Sequence, residues 1–182
     1  MPFTIPWPAR PHASAMITIL MGVSGSGKST IGEALATRLG QDFVDGDHLH
    51  PAANREKMAH GVPLDDADRQ PWLEAIVATM GEYRARGESL VLACSALKRR
   101  YRNFLRSGHD DVGFVYLHGN RDLLAERLGA RSGHFFDPAL LDSQLATLEE
   151  PDDDEALRVA IGPAPGEIVE CIIRSGCHGA TA

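Results

Sequence analysis

The chain of 182 residues has only three cysteines, Cys94, Cys171 and Cys177, and their spacing matches no metal site. An odd count without a secretory signal points to reduced thiols in a cytosol. Cationic residues are outnumbered, 18 Lys and Arg against 25 Asp and Glu, for a net charge of −7. That balance argues against a nucleic-acid binder, whose affinity rests on basic surface. No stretch reaches the roughly 18 consecutive apolar residues that a membrane span needs. There is no internal repeat. Eight histidines are present, but pairs such as His48 and His50 complete no closed zinc set.

What is present is 43% hydrophobic residues, enough for one well-packed domain. The first fifteen residues, MPFTIPWPARPHASA, are Pro-rich and poor in helix formers, and read as a disordered extension before a single domain over 16–182.

The domain opens on MITILMGVSGSGKST. Met16 to Met21 is a short apolar run suited to a buried parallel strand. Gly22-Val23-Ser24-Gly25-Ser26-Gly27-Lys28-Ser29 fits G-x-x-x-x-G-K-[ST], and Thr30 comes next. Glycines let such a loop turn tightly and aim successive N–H groups at anionic oxygens. The next helix, apolar-spaced from Ile31 to Leu39 and stopped by Gly40, adds the positive end of its dipole. Lys28 can reach the β- and γ-phosphates of a nucleotide, and the Ser29 hydroxyl is the expected Mg²⁺ ligand.

Further along, strands alternate with helices, which gives a parallel sheet covered on both faces. Ligands in such sheets sit beyond the carboxyl ends of the strands. The loop at Gly22, the acids Asp45 and Asp47, Ser95 with Lys98, and the loop after His118 all come after strands and are expected in one crevice. The polar stretch from Gly46 to Arg69 reads as the start of a substrate-facing segment. Asp65 to Arg69 caps a helix that carries Trp72, Leu73, Ile76, Val77 and Met80. Cys94 reads as a buried apolar residue rather than a nucleophile.

Phosphoryl transfer is mostly positioning and charge neutralisation. A hydroxyl acceptor gains from a carboxylate that orients it and takes its proton. Asp47 is placed for that, and Asp45 with Ser29 for Mg²⁺; the two acids could exchange roles. Arg127 and Arg131, spaced i, i+4 around a Gly-punctuated segment, fit a flap over ATP or a solvated helix face. Lys98 and Arg102, also i, i+4 on the helix after Ser95, fit either an anionic acceptor or a plain basic surface.

The stretches GVSGSGKST, FVDGDHLHPAANREKM, PLDDADRQPWL, CSALKRRYRNFLR and RSGHFFDPALLDSQLATLEEP occur in that order. Together they resemble the gluconokinases, ATP-dependent D-gluconate 6-kinases related in fold to shikimate kinases. The resemblance implies a three-layer α/β P-loop kinase with about five parallel strands, a substrate segment over about 46–86 and a lid over about 127–138. It implies ATP and Mg²⁺ as cofactors, D-gluconate as substrate and a homodimer. It makes Gly22 to Thr30 the ATP phosphate site and Lys28, Asp47 and Arg127 the catalytic groups. His50, Arg69, Ser95, Lys98, Arg102, His134 and Gln144 would line the acceptor site, with Arg127 and Arg131 in the lid. Arg121 and the turn Gly162–Pro165 are the candidates for adenine. The acidic run Pro151 to Glu155 reads as a surface loop. Another small anion, such as shikimate, is the alternative acceptor.

Overall fold

The computed structural model describes residues 15–130 and 138–176. Five strands, β1 (Ile17–Met21), β2 (Asp42–Asp45), β3 (Leu90–Ala93), β4 (Val112–His118) and β5 (Leu157–Ala160), form one parallel sheet in the order β2-β3-β1-β4-β5. Seven α-helices are found among the described residues: α1 (Lys28–Leu39), α2 (Ala52–Ala59), α3 (Asp66–Arg86), α4 (Arg99–Arg106), α5 (Arg121–Gly129), α6 (Pro138–Thr147) and α7 (Pro165–Ser175). A short 3-10 helix, Gly46–Leu49, succeeds β2.

Side chains alternate along the strands, so the central strands β1, β3 and β4 feed two cores. Ile17, Ile19 and Met21 of β1 pack with Leu90 and Leu92 of β3 against Trp72, Ile76 and Met80 of α3 and Leu105 of α4. Leu20, Val91, Val115 and Leu117 pack on the other face against Leu35 of α1, Leu124 of α5, Leu141 of α6 and Ile172 of α7. The central strand β1 is buried throughout, which is why it reads as an unbroken apolar run. Among the described residues no helix is long and apolar enough to cross a membrane.

The register sets the position of the site. Leu20 of β1 pairs with Ala93 of β3, and Ala93 pairs with Asp45 of β2. Three strands therefore end level with one another. The loop at Gly22, the acids at Asp45 and Asp47, and the turn at Ser95 consequently leave the sheet at one edge.

Candidate active site

The phosphate loop departs from ordinary backbone at its glycines. Gly22 has φ +145, and a Cβ there would lie 2.6 Å from the Leu117 carbonyl oxygen, so no larger residue fits the turn out of β1. Gly27, at φ 88, sits in the left-handed region as the N-cap of α1. The Lys28 Nζ donates to the Val23 carbonyl at 3.1 Å, folding back over the loop. The Ser26 amide donates to the same Val23 carbonyl at 3.2 Å, and the Ser26 side chain is buried beneath Gly22. Thr30, Gly25, Gly27, Ile31, Arg127 and Pro165 line a cavity of about 160 Å³ beside the loop. Arg127 donates to the Ile161 carbonyl at this cavity. Of the two adenine candidates, the turn ending at Pro165 reaches the cavity. Arg121 is instead paired on the exposed surface with Asp142, at 2.6 and 2.9 Å.

The acids after β2 are joined to the loop in a short chain. The Ser29 hydroxyl donates to Asp45 Oδ2 at 2.6 Å, and Asp45 Oδ1 accepts from the Asp47 amide at 3.0 Å. Asp45 thereby caps the 3-10 helix and fixes the backbone of Asp47, which is exposed. Trp72 of α3 holds this turn from behind, its Nε1 donating to the Gly46 carbonyl at 2.8 Å. His50 stacks on Trp72 with centroids 4.4 Å apart and planes 11° from parallel. Burial lowers the His50 pKa; Arg69 and Arg55 add to the effect and Asp47 opposes it. His50 is thus a neutral ring at neutral pH, packed with Trp72 behind the turn that carries Asp47.

The end of β3 supplies the third side. The Cys94 thiol is fully buried and pushed up to about 12 by that burial, which leaves it inert as a nucleophile. Its electrostatic neighbours are Asp47, Lys28 and Arg69, so the three groups converge here. The Ser95 carbonyl accepts from the Gly22 amide at 3.3 Å, a direct link between the phosphate loop and the turn after β3. Lys98 Nζ meets Asp66 Oδ1 at 3.0 Å, and Tyr101 and Arg100 also bond Asp66. The Arg69 guanidinium lies 5.9 Å from the Tyr101 ring centre.

Four expectations need correction. Lys98 and Arg102 do not share a helical face, because α4 begins at Arg99. Ala96, a non-glycine at φ 44, turns the chain first, and Lys98 is the extended N-cap. Arg102 does not reach the crevice. It is 1% exposed and bonds Glu155, Ala96 and Leu97. Asp152 to Asp154 are exposed, as expected of a surface loop, but Glu155 at its end is buried. Gln144, expected at the acceptor, instead meets the phosphate loop: Ser24 N–H donates to its Oε1 at 2.7 Å and its Nε2 donates to Ser24 Oγ at 3.0 Å. Arg131, His134 and most of the expected lid over 127–138 lie outside the described residues.

Sequence reading missed Asp66 and Glu155, the carboxylates that organise the cations. Asp66 was hidden among acids that also start α3, where Asp65 and Asp68 form a capping box. Among the described residues no three His, Cys, Asp or Glu side chains cluster as a metal cage. Ser29 and Asp45 offer hard oxygen atoms only, which suits a cation that keeps its waters and is completed by phosphate oxygens.

The shikimate kinase family model matches residues 24–155. A gluconokinase of Gluconobacter oxydans (strain 621H) is 50% identical, over 86% of this chain and 88% of its own length. The crystal structure of a gluconokinase from Sinorhizobium meliloti 1021 superposes with a TM-score of 0.79 at 44% identity, covering 91% of this chain and 93% of that one. A sugar kinase from Janibacter sp. HTCC2649 gives a TM-score of 0.82 at 37% identity, with 92% and 99% covered.

Proposed function

The chain belongs to the gluconokinases, ATP-dependent small-molecule kinases of the shikimate kinase type, and we propose that it transfers the γ-phosphoryl group of ATP to the 6-hydroxyl of D-gluconate. The products are 6-phospho-D-gluconate and ADP. The observation that carries this reading is the chain Ser29–Asp45–Asp47, which sets an exposed carboxylate two residues from an acid bonded to the phosphate loop.

Amides of Gly22 to Thr30 and Lys28 hold the donor phosphates. Ser29 would hold Mg²⁺, with Asp45 orienting its hydroxyl and holding a water on the ion, which would supply charge neutralisation at the donor phosphates. Asp47 orients the acceptor hydroxyl and takes its proton as the new O–P bond forms and the bond to ADP breaks. That hydroxyl is a very weak acid, so orientation counts for more than prior deprotonation. Lys98 and Arg69 offer positive charge to a carboxylate, and Ser95 offers hydrogen bonding to hydroxyls. Arg127, at the cavity beside Gly27, stabilises charge on the transferring group. The segment over about 46–86 forms the acceptor side. We read the working protein as a cytosolic homodimer that feeds a sugar acid into phosphorylated carbohydrate metabolism.

The test is ADP release by the purified chain across a panel of sugar acids, with shikimate and nucleoside monophosphates beside them. Turnover that requires gluconate is expected. Turnover on shikimate or a nucleotide with none on gluconate overturns the assignment.

A further inference from the structure

A phosphate loop works by offering its amides to anionic oxygens. In this chain one of those amides already has a side-chain acceptor. Ser24 N–H donates to Gln144 Oε1 at 2.7 Å, and the other end of the carboxamide donates to Ser24 Oγ at 3.0 Å. The two residues are 120 positions apart, so the contact is made by the fold and not by local chain geometry.

We propose that Gln144 is a positioning residue of the donor site, its carboxamide oxygen standing where a donor phosphate oxygen binds and yielding the Ser24 amide when ATP arrives. Shape and charge both support the exchange. An amide carbonyl accepts the same hydrogen bond as a phosphate oxygen but carries no formal charge. A charged acceptor forms a shorter and stronger bond, so the phosphate displaces the carboxamide and the reverse does not occur. With the amide satisfied in the empty state, the loop keeps its shape without an unpaired donor.

Gln144 cannot drift from the site. It belongs to α6, anchored by the fully buried Leu141. Just beyond the helix, the Glu149 amide donates to the Leu97 carbonyl at 2.9 Å and its carboxylate accepts from the Arg99 amide at 2.6 Å. The displaced carboxamide therefore stays between the phosphate loop and the turn after β3. Holding the amide also imposes a cost on the donor: the apparent affinity for ATP is the intrinsic affinity multiplied by the fraction of molecules in which Gln144 is disengaged.

The inference rests on the loop binding ATP and is independent of which acceptor is used. It is tested by ATP binding to the full chain without any acceptor, measured by titration calorimetry. Ala is a strong helix former, so Gln144→Ala preserves α6; it is expected to bind ATP about three- to tenfold more tightly, the equivalent of one lost hydrogen bond. Gln144→Glu keeps the reach and adds negative charge. It is expected to weaken ATP binding by about tenfold or more. Unchanged or weaker ATP binding by Gln144→Ala overturns the proposal, as does a Gln144→Glu variant that binds like the parent. A failure of gluconate turnover in the acceptor panel leaves this binding result standing.

Discussion

Arg102 and Glu155 form a buried two-point ion pair, with Nε to Oε1 at 2.6 Å and Nη2 to Oε2 at 3.2 Å. The remaining nitrogen, Nη1, spans the Ala96 and Leu97 carbonyls at 3.0 and 3.1 Å. Arg102 thus braces the strained turn that carries Ser95 and Lys98. Removing one partner of such a pair leaves a buried charge uncompensated. Arg102→Met is expected to cost about 3–5 kcal/mol, read from urea unfolding. Replacing Glu155 by Met as well is expected to restore most of that stability while leaving both carbonyls without their donor. Its KM for gluconate should then stay raised while its KM for ATP does not. A double variant with the parent's gluconate KM would show that the turn needs no brace.

The failure to foresee that pair has a physical cause. The strand, loop and helix around Gly22 were legible because each signal is local: an apolar run, glycines and Lys-Ser. Helical spacing placed Lys98 with Arg102 only if α4 began at Ser95. The left-handed conformation at Ala96 delays it to Arg99, and an alanine gives no sign of that. Glu155 stands in an acidic run that composition marks as surface, and its partner is 53 positions away. The bond between Ser24 and Gln144 spans still more of the sequence, 120 positions. Periodicity reports which face of an element is buried, not which distant polar group it meets.

Asp47 is expected to govern turnover and not donor binding. It is exposed in the first turn of the 3-10 helix, and its backbone, not its carboxylate, is what Asp45 holds. Asp47→Asn should keep the turn and lose the base. A fall in kcat of about 10²–10⁴-fold is expected, with ATP affinity by calorimetry unchanged. Near-normal kcat would remove Asp47 from the reaction.

Asp45 has a different task, reached through Ser29. The 2.6 Å bond between them orients the hydroxyl expected at the metal. Asp45→Asn is expected to raise the Mg²⁺ concentration for half-maximal activity by about 10–100-fold, the usual effect of losing a group that orients a metal ligand. Excess Mg²⁺ should recover much of the rate, as it cannot for Asp47→Asn. Equal Mg²⁺ dependence in the Asp45 variant and the parent would separate Asp45 from the metal.

His50 makes the stability of this turn depend on pH. Its ring is buried against Trp72, and its pKa is lowered first by burial and then by Arg69 and Arg55, against the pull of Asp47. Unfolding frees the ring to take a proton near its ordinary value of about 6.5. Below that pH the unfolded chain binds more protons than the folded one, so acid favours unfolding. The contribution of neutral His50 is whole above about pH 6.5 and is lost as the pH falls toward the lowered folded value, by at most about 1.4 kcal/mol per pH unit. His50→Asn removes this titration. Its unfolding free energy, measured beside the parent from pH 7.5 to pH 5, is expected to lie below the parent at the upper end and to converge on it at the lower. Subtraction of the two curves cancels the other titrating groups. A difference that stays constant across the range would show that His50 is not buried in its neutral form.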